Sequence, residues 1–328
     1  MHGILAAESR HRVNIVWRVI MEFLKLLESI RNPVLDTFFS IVTHLGEETF
    51  FMAIRLIFFW CVNKKQGYYI LFVGFLGTVI NQFLKLWFRI PRPWVKNPDF
   101  TIVESARAEA TGYSFPSGHT QSAVGTFGCA ARARTEKWFR IISVIFCILV
   151  PLSRMYLGVH TPLDVGVSFV ITVLMVFALY PVIMKALEKP TAMRIVLGIM
   201  TALTVAYIVF VEVYPFPADI DVQNYEHGVK NGYKILGCYL GMWLTYELDE
   251  KFIRFETKAP LIAQILKVVL GIIPVLLVKI VLKAPLNALC GGSVIADGIR
   301  YFLIAAVAGV LWPLTFKFFA KLGNKKKV

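Results

Sequence analysis

The chain has 328 residues, 57% of them hydrophobic and only 17% charged, with 26 phenylalanines; soluble domains sit nearer about 45–50% apolar and about 25% charged, so an ordinary soluble globular domain is excluded. Nine membrane spans of about 20 residues would use roughly 180 positions, leaving mostly short loops and no room for a second soluble domain. Thirty-five basic residues against 21 acidic ones leave a net charge of +14, and the excess sits between apolar runs (Arg132, Arg134, Lys137, Arg140; Lys185, Lys189, Arg194) and in a tail (Lys317, Lys321, Lys325, Lys326, Lys327), which fits cytoplasmic loops and argues against a nucleic-acid partner.

Taken in order, residues 13–30 place Val13, Val16, Trp17, Ile20, Phe23, Leu24, Leu27 and Ile30 at helical spacing, with Arg18, Glu22, Lys25 and Glu28 opposite. That pattern predicts an amphipathic helix lying in the membrane interface before Pro33, with no uninterrupted apolar stretch of the kind a cleaved signal needs. A first span is expected within 34–63, interrupted at Gly46, Glu47 and Glu48 and apolar over 49–62. Further spans follow at about 67–88, 118–133, 138–157, 162–184, 194–213, 229–247, 260–282 and 294–316, each bounded by charge or proline. The predicted fold is an all-α, polytopic transmembrane helical bundle of about nine spans. Its expected organisation is an interfacial helix at 1–33, a core of about five spans at 34–188, and an extension of about four spans at 189–328. Trp60, Trp87, Trp94 and Trp138 fall at span ends and read as interfacial anchors. The five cysteines are scattered, without metal-ligand spacing, and read as buried free thiols. Arg55, Glu47 and Glu48 read as a structural ion pair, and His227 as a solvated residue of an acidic loop, 212–228.

Three segments put polar groups beside these spans. In Lys85-Leu-Trp-Phe-Arg-Ile-Pro-Arg92-Pro93, the two cations would share a face about 10 Å apart on a continuing helix, while Pro91 and Pro93 would end it and turn Arg92 inward. Such a pair can clamp one anion; snorkelling of Lys85 and a loop position for Arg92 is the plain alternative. Ser117-Gly118-His119 follows Pro116 and opens a span, so free backbone N–H groups and the positive helix end face outward, with no Cβ at Gly118 to block an oxyanion. An ordinary serine cap would look the same. Arg154 closes a long apolar span, where an unpaired charge is costly and usually functional. His160 and Asp164 are four apart across Thr161-Pro162. There Asp164 can serve a capping box, or it can take the Nδ1 proton of His160 and leave Nε2 as an oriented nucleophile.

Lys85-x6-Arg92-Pro93, Pro116-Ser117-Gly118-His119 and Ser153-Arg154-x5-His160-x3-Asp164 together resemble the three-part signature of the type 2 phosphatidic acid phosphatase superfamily. The resemblance covers about 34–188 and leaves the last four spans unexplained. It implies metal-free phosphoryl transfer with no cofactor. His160 would attack phosphorus, Asp164 would orient it, and His119 would protonate the leaving alkoxide and later activate water. Lys85, Arg92, Ser117, Gly118 and Arg154 would hold the phosphoryl oxygens. The expected substrate is a lipid phosphate or another phosphomonoester. A polyprenyl pyrophosphate or a small soluble phosphate, as in glucose-6-phosphatases, are enzymatic alternatives, and a non-catalytic carrier of anionic lipid is an alternative of another class. Loop charges place the three motifs on the side opposite the basic loops, outside the cytoplasm of a bacterial inner membrane.

Overall fold

The computed structural model describes residues 2–44 and 47–322, with backbone alone for residues 2–14 and Glu48; Lys325, Lys326 and Lys327 lie outside them. The described residues form helices without strands: α1 (His2–Ser29), α2 (Pro33–His44), α3 (Glu48–Ile57, continued by a wide turn, Phe58–Val62), α4 (Lys64–Phe88) and the short α5 (Pro93–Lys96). Then come α6 (Gly118–Ala123), which runs through a wide turn into α7 (Cys129–Ala133), α8 (Lys137–Tyr156), α9 (Pro162–Ala186) and α10 (Pro190–Val213). The remainder is α11 (Val222–Leu248), α12 (Leu261–Val281), α13 (Lys283–Leu289), α14 (Ile295–Ala306) and α15 (Phe316–Lys321).

Six of these segments are long and apolar enough to cross a membrane: Lys64–Lys96, Lys137–Tyr156, Pro162–Ala186, Pro190–Val213, Leu261–Val281 and Ile295–Lys321. The other three positions expected to span are helical too, but differ from a standard span. Thr49–Val62 and 118–133 are short, and α11, at 27 residues, carries Glu226, Lys230, Lys234 and Glu247. The outward faces of α8, α9 and α12 expose Ile145, Phe177 and Ile273, a surface suited to hydrocarbon rather than water. Inside, Trp60, Tyr69, Phe72, Val176, Tyr239 and Ile304 belong to one buried cluster joining α3, α4, α9, α11 and α14. Trp60 is therefore not an interfacial anchor: it is fully buried and donates from Nε1 to the Ala308 carbonyl at 2.8 Å. Trp87 and Trp138 are exposed, as anchors would be.

Helix ends follow local chemistry. Asn63 caps α4 by accepting from the Gln66 N–H at 3.1 Å. The same helix stops at Phe88 because Arg89 takes a left-handed conformation (φ 50°) and returns its N–H to the Lys85 carbonyl at 2.9 Å. Lys85 and Arg92 thus do not share one continuing helix; Arg92 caps α5, turned back toward the bundle.

The amphipathic N-terminal segment is helical over a longer stretch than expected, and its packing face is shifted. Met21 and Leu24 are buried with Trp17 and Ile20 against Phe100 and Ile102, whereas Val16, Phe23 and Ile30 point outward. At one end of the bundle Lys64 pairs with Asp249 at 2.6 Å, Gln66 Nε2 donates to the Ala133 carbonyl at 3.1 Å, and Arg194 pairs with Glu247 at 2.6 Å. At the other end the segments 89–117, 157–161 and 214–228 come together. Glu47 pairs with His44, and Arg55 donates from Nε to Thr126 Oγ1 at 3.2 Å.

Candidate active site

The three polar segments converge at that second end. Lys85, Arg92, Ser117, Arg154, His160 and Asp164 are all buried, and Gly118 and His119 line the same cavity as Lys85, Arg92 and His160. All eight residues picked out by spacing thus belong to one neighbourhood.

The loop Gly158–Thr161 explains how His160 is aimed. Gly158 makes the turn out of α8 with φ +82°, where a Cβ would meet the Arg31 guanidinium at 2.7 Å and the Thr101 carbonyl at 3.0 Å. The N–H groups of Val159 and His160 then both return to the Arg154 carbonyl, at 3.1 and 3.2 Å. Arg92 fixes the far side: its Nε donates to Gly112 O at 3.2 Å, Nη2 to Thr111 O at 2.8 Å, and Nη1 to Val159 O at 2.8 Å. The same Nη1 lies 2.9 Å from His160 Nε2. A guanidinium can only donate, so Nε2 must carry the lone pair and the ring proton sits on Nδ1. On the Nδ1 side stand Ser114 Oγ and Asp164 Oδ2, each at 3.5 Å.

Asp164 closes the capping box that its position allows, and its carboxylate also stands 3.5 Å from His160 Nδ1. Thr161 Oγ1 accepts from the Asp164 N–H at 3.1 Å while Asp164 Oδ2 accepts from the Thr161 N–H at 2.7 Å, a complete capping box. The same Oδ2 accepts from Ser114 Oγ at 2.6 Å and faces the imidazole. One carboxylate thus caps the helix and faces the imidazole, so the two readings of the spacing are not exclusive. Burial first, and then the positive charges of Arg92, Arg154 and Lys85, push the His160 imidazole well below its ordinary pKa, which keeps it neutral at neutral pH.

Motifs two and three are joined through backbone. The Ser117 N–H donates to the Asp164 carbonyl at 3.0 Å, and Ser168 Oγ donates to the Ser117 carbonyl at 2.7 Å. Ser117 caps α6, its Oγ accepting from Thr120 Oγ1 at 3.0 Å. Lys85 Nζ donates to the Tyr113 carbonyl. Arg154 donates from Nη1 to Thr43 Oγ1 at 2.6 Å, while its Nε and Nη2, together with His119 Nε2, are buried and have no hydrogen-bond partner among the described residues. Buried donors left without partners are rare because each costs a few kcal/mol, about 1–3. Three cations and one carboxylate, all buried, leave two positive charges over, the complement of a phosphate dianion.

Comparison with known proteins agrees with this chemistry. The model of the PAP2 superfamily matches residues 66–188, and that of the PAP2 superfamily phosphatase, transmembrane extension, matches 233–326. An undecaprenyl-diphosphatase of Bacillus subtilis is 31% identical over 46% of this chain and 77% of its own length. The chain belongs to the PAP2 superfamily. Two other relatives are each 29% identical: a probable sphingosine-1-phosphate phosphatase of Dictyostelium discoideum, over 54% of this chain and 44% of its own, and a phosphatidylglycerophosphatase B of Bacillus subtilis, over 45% and 75%. The chain thus spans less than half of the Dictyostelium relative. No solved structure matches the chain significantly.

This PAP2 chain is an integral membrane protein, and several residues around its site carry no motif. Ser114, which ties Asp164 to the loop, lies three residues before Ser117 in Gly-Tyr-Ser-Phe-Pro-Ser-Gly-His. Thr43, the partner of Arg154, comes from α2, far off in sequence. His227 is not a loop residue: it lies in the first turns of α11, with Nε2 3.3 Å from Thr111 Oγ1, and lines the cavity.

Proposed function

We propose that this PAP2 enzyme hydrolyses a lipid phosphate monoester in two steps through a phosphohistidine on His160 Nε2. The observation that carries the reading is the Arg92 Nη1 contact to Nε2 with Asp164 and Ser114 at Nδ1, which puts the imidazole lone pair on Nε2; the Arg92 N–H that it accepts from passes to a phosphoryl oxygen as the lone pair turns to phosphorus, beside the unpartnered N–H groups of Arg154. In the first step the Nε2 lone pair forms the N–P bond as the ester P–O bond breaks; His119 supplies the proton that the departing alkoxide takes. In the second, His119 accepts a proton from water, whose oxygen displaces His160 from phosphorus and releases inorganic phosphate. Lys85, Arg92, Arg154, Ser117 and the Gly118 N–H hold the phosphoryl oxygens and the charge that grows on them.

The phosphatase core is assigned to 34–188 and the extension to 189–328, with nine spans if the short helices 48–62 and 118–133 and the polar α11 also cross. Gathering of the basic stretches at one end and of the motifs at the other supports an active site outside the cytoplasm, and the coverage of the two Bacillus relatives supports a bacterial inner membrane. Among the described residues no three His, Cys, Asp or Glu side chains cluster to hold a metal ion, and no cofactor enters the mechanism.

Purified protein in detergent, assayed against phosphatidate, sphingosine 1-phosphate, undecaprenyl pyrophosphate and glucose 6-phosphate, tests the substrate class. Activity should favour a lipid monoester, survive chelators, be blocked by vanadate, and disappear with phosphoenzyme labelling in His160→Ala. Turnover by His160→Ala, or magnesium-dependent recovery after chelation, would overturn the mechanism. A second reading, a polyprenyl pyrophosphate, is favoured by the undecaprenyl-diphosphatase relative; faster release from the pyrophosphate than from any monoester would establish it.

A further inference from the structure

The cavity that holds Lys85, His119 and His160 does not end at the phosphate groups. On α4 it is lined by Lys85, Gln82, Thr78, Phe75, Leu71 and Tyr68, a stripe repeating every three or four residues along one face. Seventeen residues at 1.5 Å each make this path about 25 Å deep. The facing wall comes from the C-terminal extension. Asn231 and Lys234 of α11 stand at the depth of the polar end, and Cys238 and Met242 continue it; Ile304, Ala305 and Ala308 of α14 and the wide turn after it close the side. Polarity falls along both walls from Lys85, Gln82, Asn231 and Lys234 to Leu71, Phe75, Cys238 and Met242, beyond which the hydroxyl-bearing Tyr68 and Thr245 line the far end. Arg55 enters the wall at mid-depth, but its Nε donates to Thr126 and its guanidinium lies over the Phe51 ring at 5.9 Å.

We infer that the C-terminal extension and α4 together enclose a chamber for one hydrocarbon tail of the substrate, so that the substrate class is a single-chain lipid phosphate. This inference rests on the phosphatase reading above and adds to it the identity of the apolar part. A depth of about 25 Å exceeds the half-thickness of a bilayer's hydrocarbon core, about 15 Å, so an extended tail can be housed whole. The cavity volume of 310 Å³, which also has to hold the phosphate, is closer to the room of one hydrocarbon chain than to that of the paired tails of a diacyl lipid. Burying a tail there draws on the hydrophobic effect for each methylene that leaves water. It also brings the phosphate to His160 with the ester oxygen toward the chamber and His119.

The test is a series of single-chain alkyl phosphates from butyl to hexadecyl, with lysophosphatidate and phosphatidate of the same acyl length, all in the same detergent. Wild-type kcat/KM should climb with chain length, and lysophosphatidate should be preferred over phosphatidate by about tenfold or more. Leu71→Trp from α4 and Ile304→Trp from α14 narrow the lower chamber from opposite walls. Each should reduce the hexadecyl-to-butyl ratio of kcat/KM by about tenfold or more, while Leu174→Trp on the outward face of α9, where Leu174 is exposed, should leave the ratio as in wild type. Being a ratio, the readout is insensitive to how much of a variant folds, and the two variants act independently. A ratio unmoved by both, or equal use of one- and two-tailed lipids, would overturn the chamber while leaving the phosphatase standing. Absence of phosphate release from every member by wild-type protein would overturn both.

Discussion

The corner where α8 turns into α9 and the contact of α11 with α14 are both tightly packed, yet by different means. At the first, buried polar side chains meet loop carbonyls: Arg92 reaches Thr111, Gly112 and Val159, and Asp164 gathers Thr161 and Ser114. At the second, backbones touch. A Cβ on Gly237 would lie 2.1 Å from the Gly298 carbonyl, and one on Gly241 would lie 2.5 Å from Ala305 Cβ, the small-residue packing through which membrane helices approach one another where the hydrophobic effect offers them little. On the proposed mechanism, chemistry depends on a few polar atoms of the corner whose replacement should remove rate without removing the fold, whereas the extension depends on shape, and its replacements should remove the fold before the rate.

The largest break in that contrast is expected at His160. His160→Gln should lower kcat by about 10⁴-fold or more, since the proposed acceptor of the phosphoryl group is gone, with a melting temperature in detergent close to wild type. Loss of folding in step with loss of rate would show that the corner is structural after all. Arg154→Gln should cost about 10²–10³-fold in kcat, the usual scale for one charge-stabilising donor at a transition state. Ser114→Ala removes one hydrogen bond to a buried carboxylate and should cost about tenfold in kcat, with rescue by Ser114→Thr separating its positioning role from mere packing.

On the extension, Gly237→Ala should lower the melting temperature by several degrees, consistent with about 1–3 kcal/mol of overpacking, with kcat per folded molecule held near wild type. The smallest effect concerns pH. Because the folded state holds the His160 pKa low, the unfolded chain takes up a proton at that residue that the native site refuses, beginning at the ordinary imidazole value near 6.5. Stability should therefore fall as pH drops from about 7.5 to about 5.5, and His160→Gln should flatten part of that slope.

The same contrast accounts for what could be read from the chain. The six charged or imidazole residues of the corner (Lys85, Arg92, His119, Arg154, His160 and Asp164) were legible because each is anomalous where it stands, since a charge or imidazole at the end of an apolar run needs a reason, and Ser117 and Gly118 came with them as the helix start before His119. Ser114 and Thr43 were not, since serines and threonines are ordinary beside membrane spans and their meaning lies in partners 50 and 111 residues away. Long apolar runs gave the span positions, but hydropathy does not say whether the short helices 48–62 and 118–133 or the charged α11 cross. Trp60 misled because a tryptophan at the edge of an apolar run looks the same whether it meets lipid headgroups or, as here, the Ala308 carbonyl. The left-handed Arg89 carries no signal, glycine being the usual occupant of such a position. The cavity depends on which helices face one another across the bundle, and periodicity gives faces without partners.

The splice between the second and third motifs has a mechanical consequence. Ser117 is held by Asp164 through a main-chain bond, and Ser168, one turn further along α9, holds Ser117 in return. The beginnings of α6 and α9 are thereby a single joint, and the two histidines ride on it at two residues past Ser117 and one before Thr161. When a helix bundle leans to match a thicker or thinner bilayer, that joint moves as a piece and the spacing of the imidazoles is conserved. The lean is taken up along the longer contacts of α4 and α11. Reconstitution across lipids of graded thickness should accordingly alter how well the enzyme grips its substrate, read in KM, well before it alters how fast the bound phosphate is passed on.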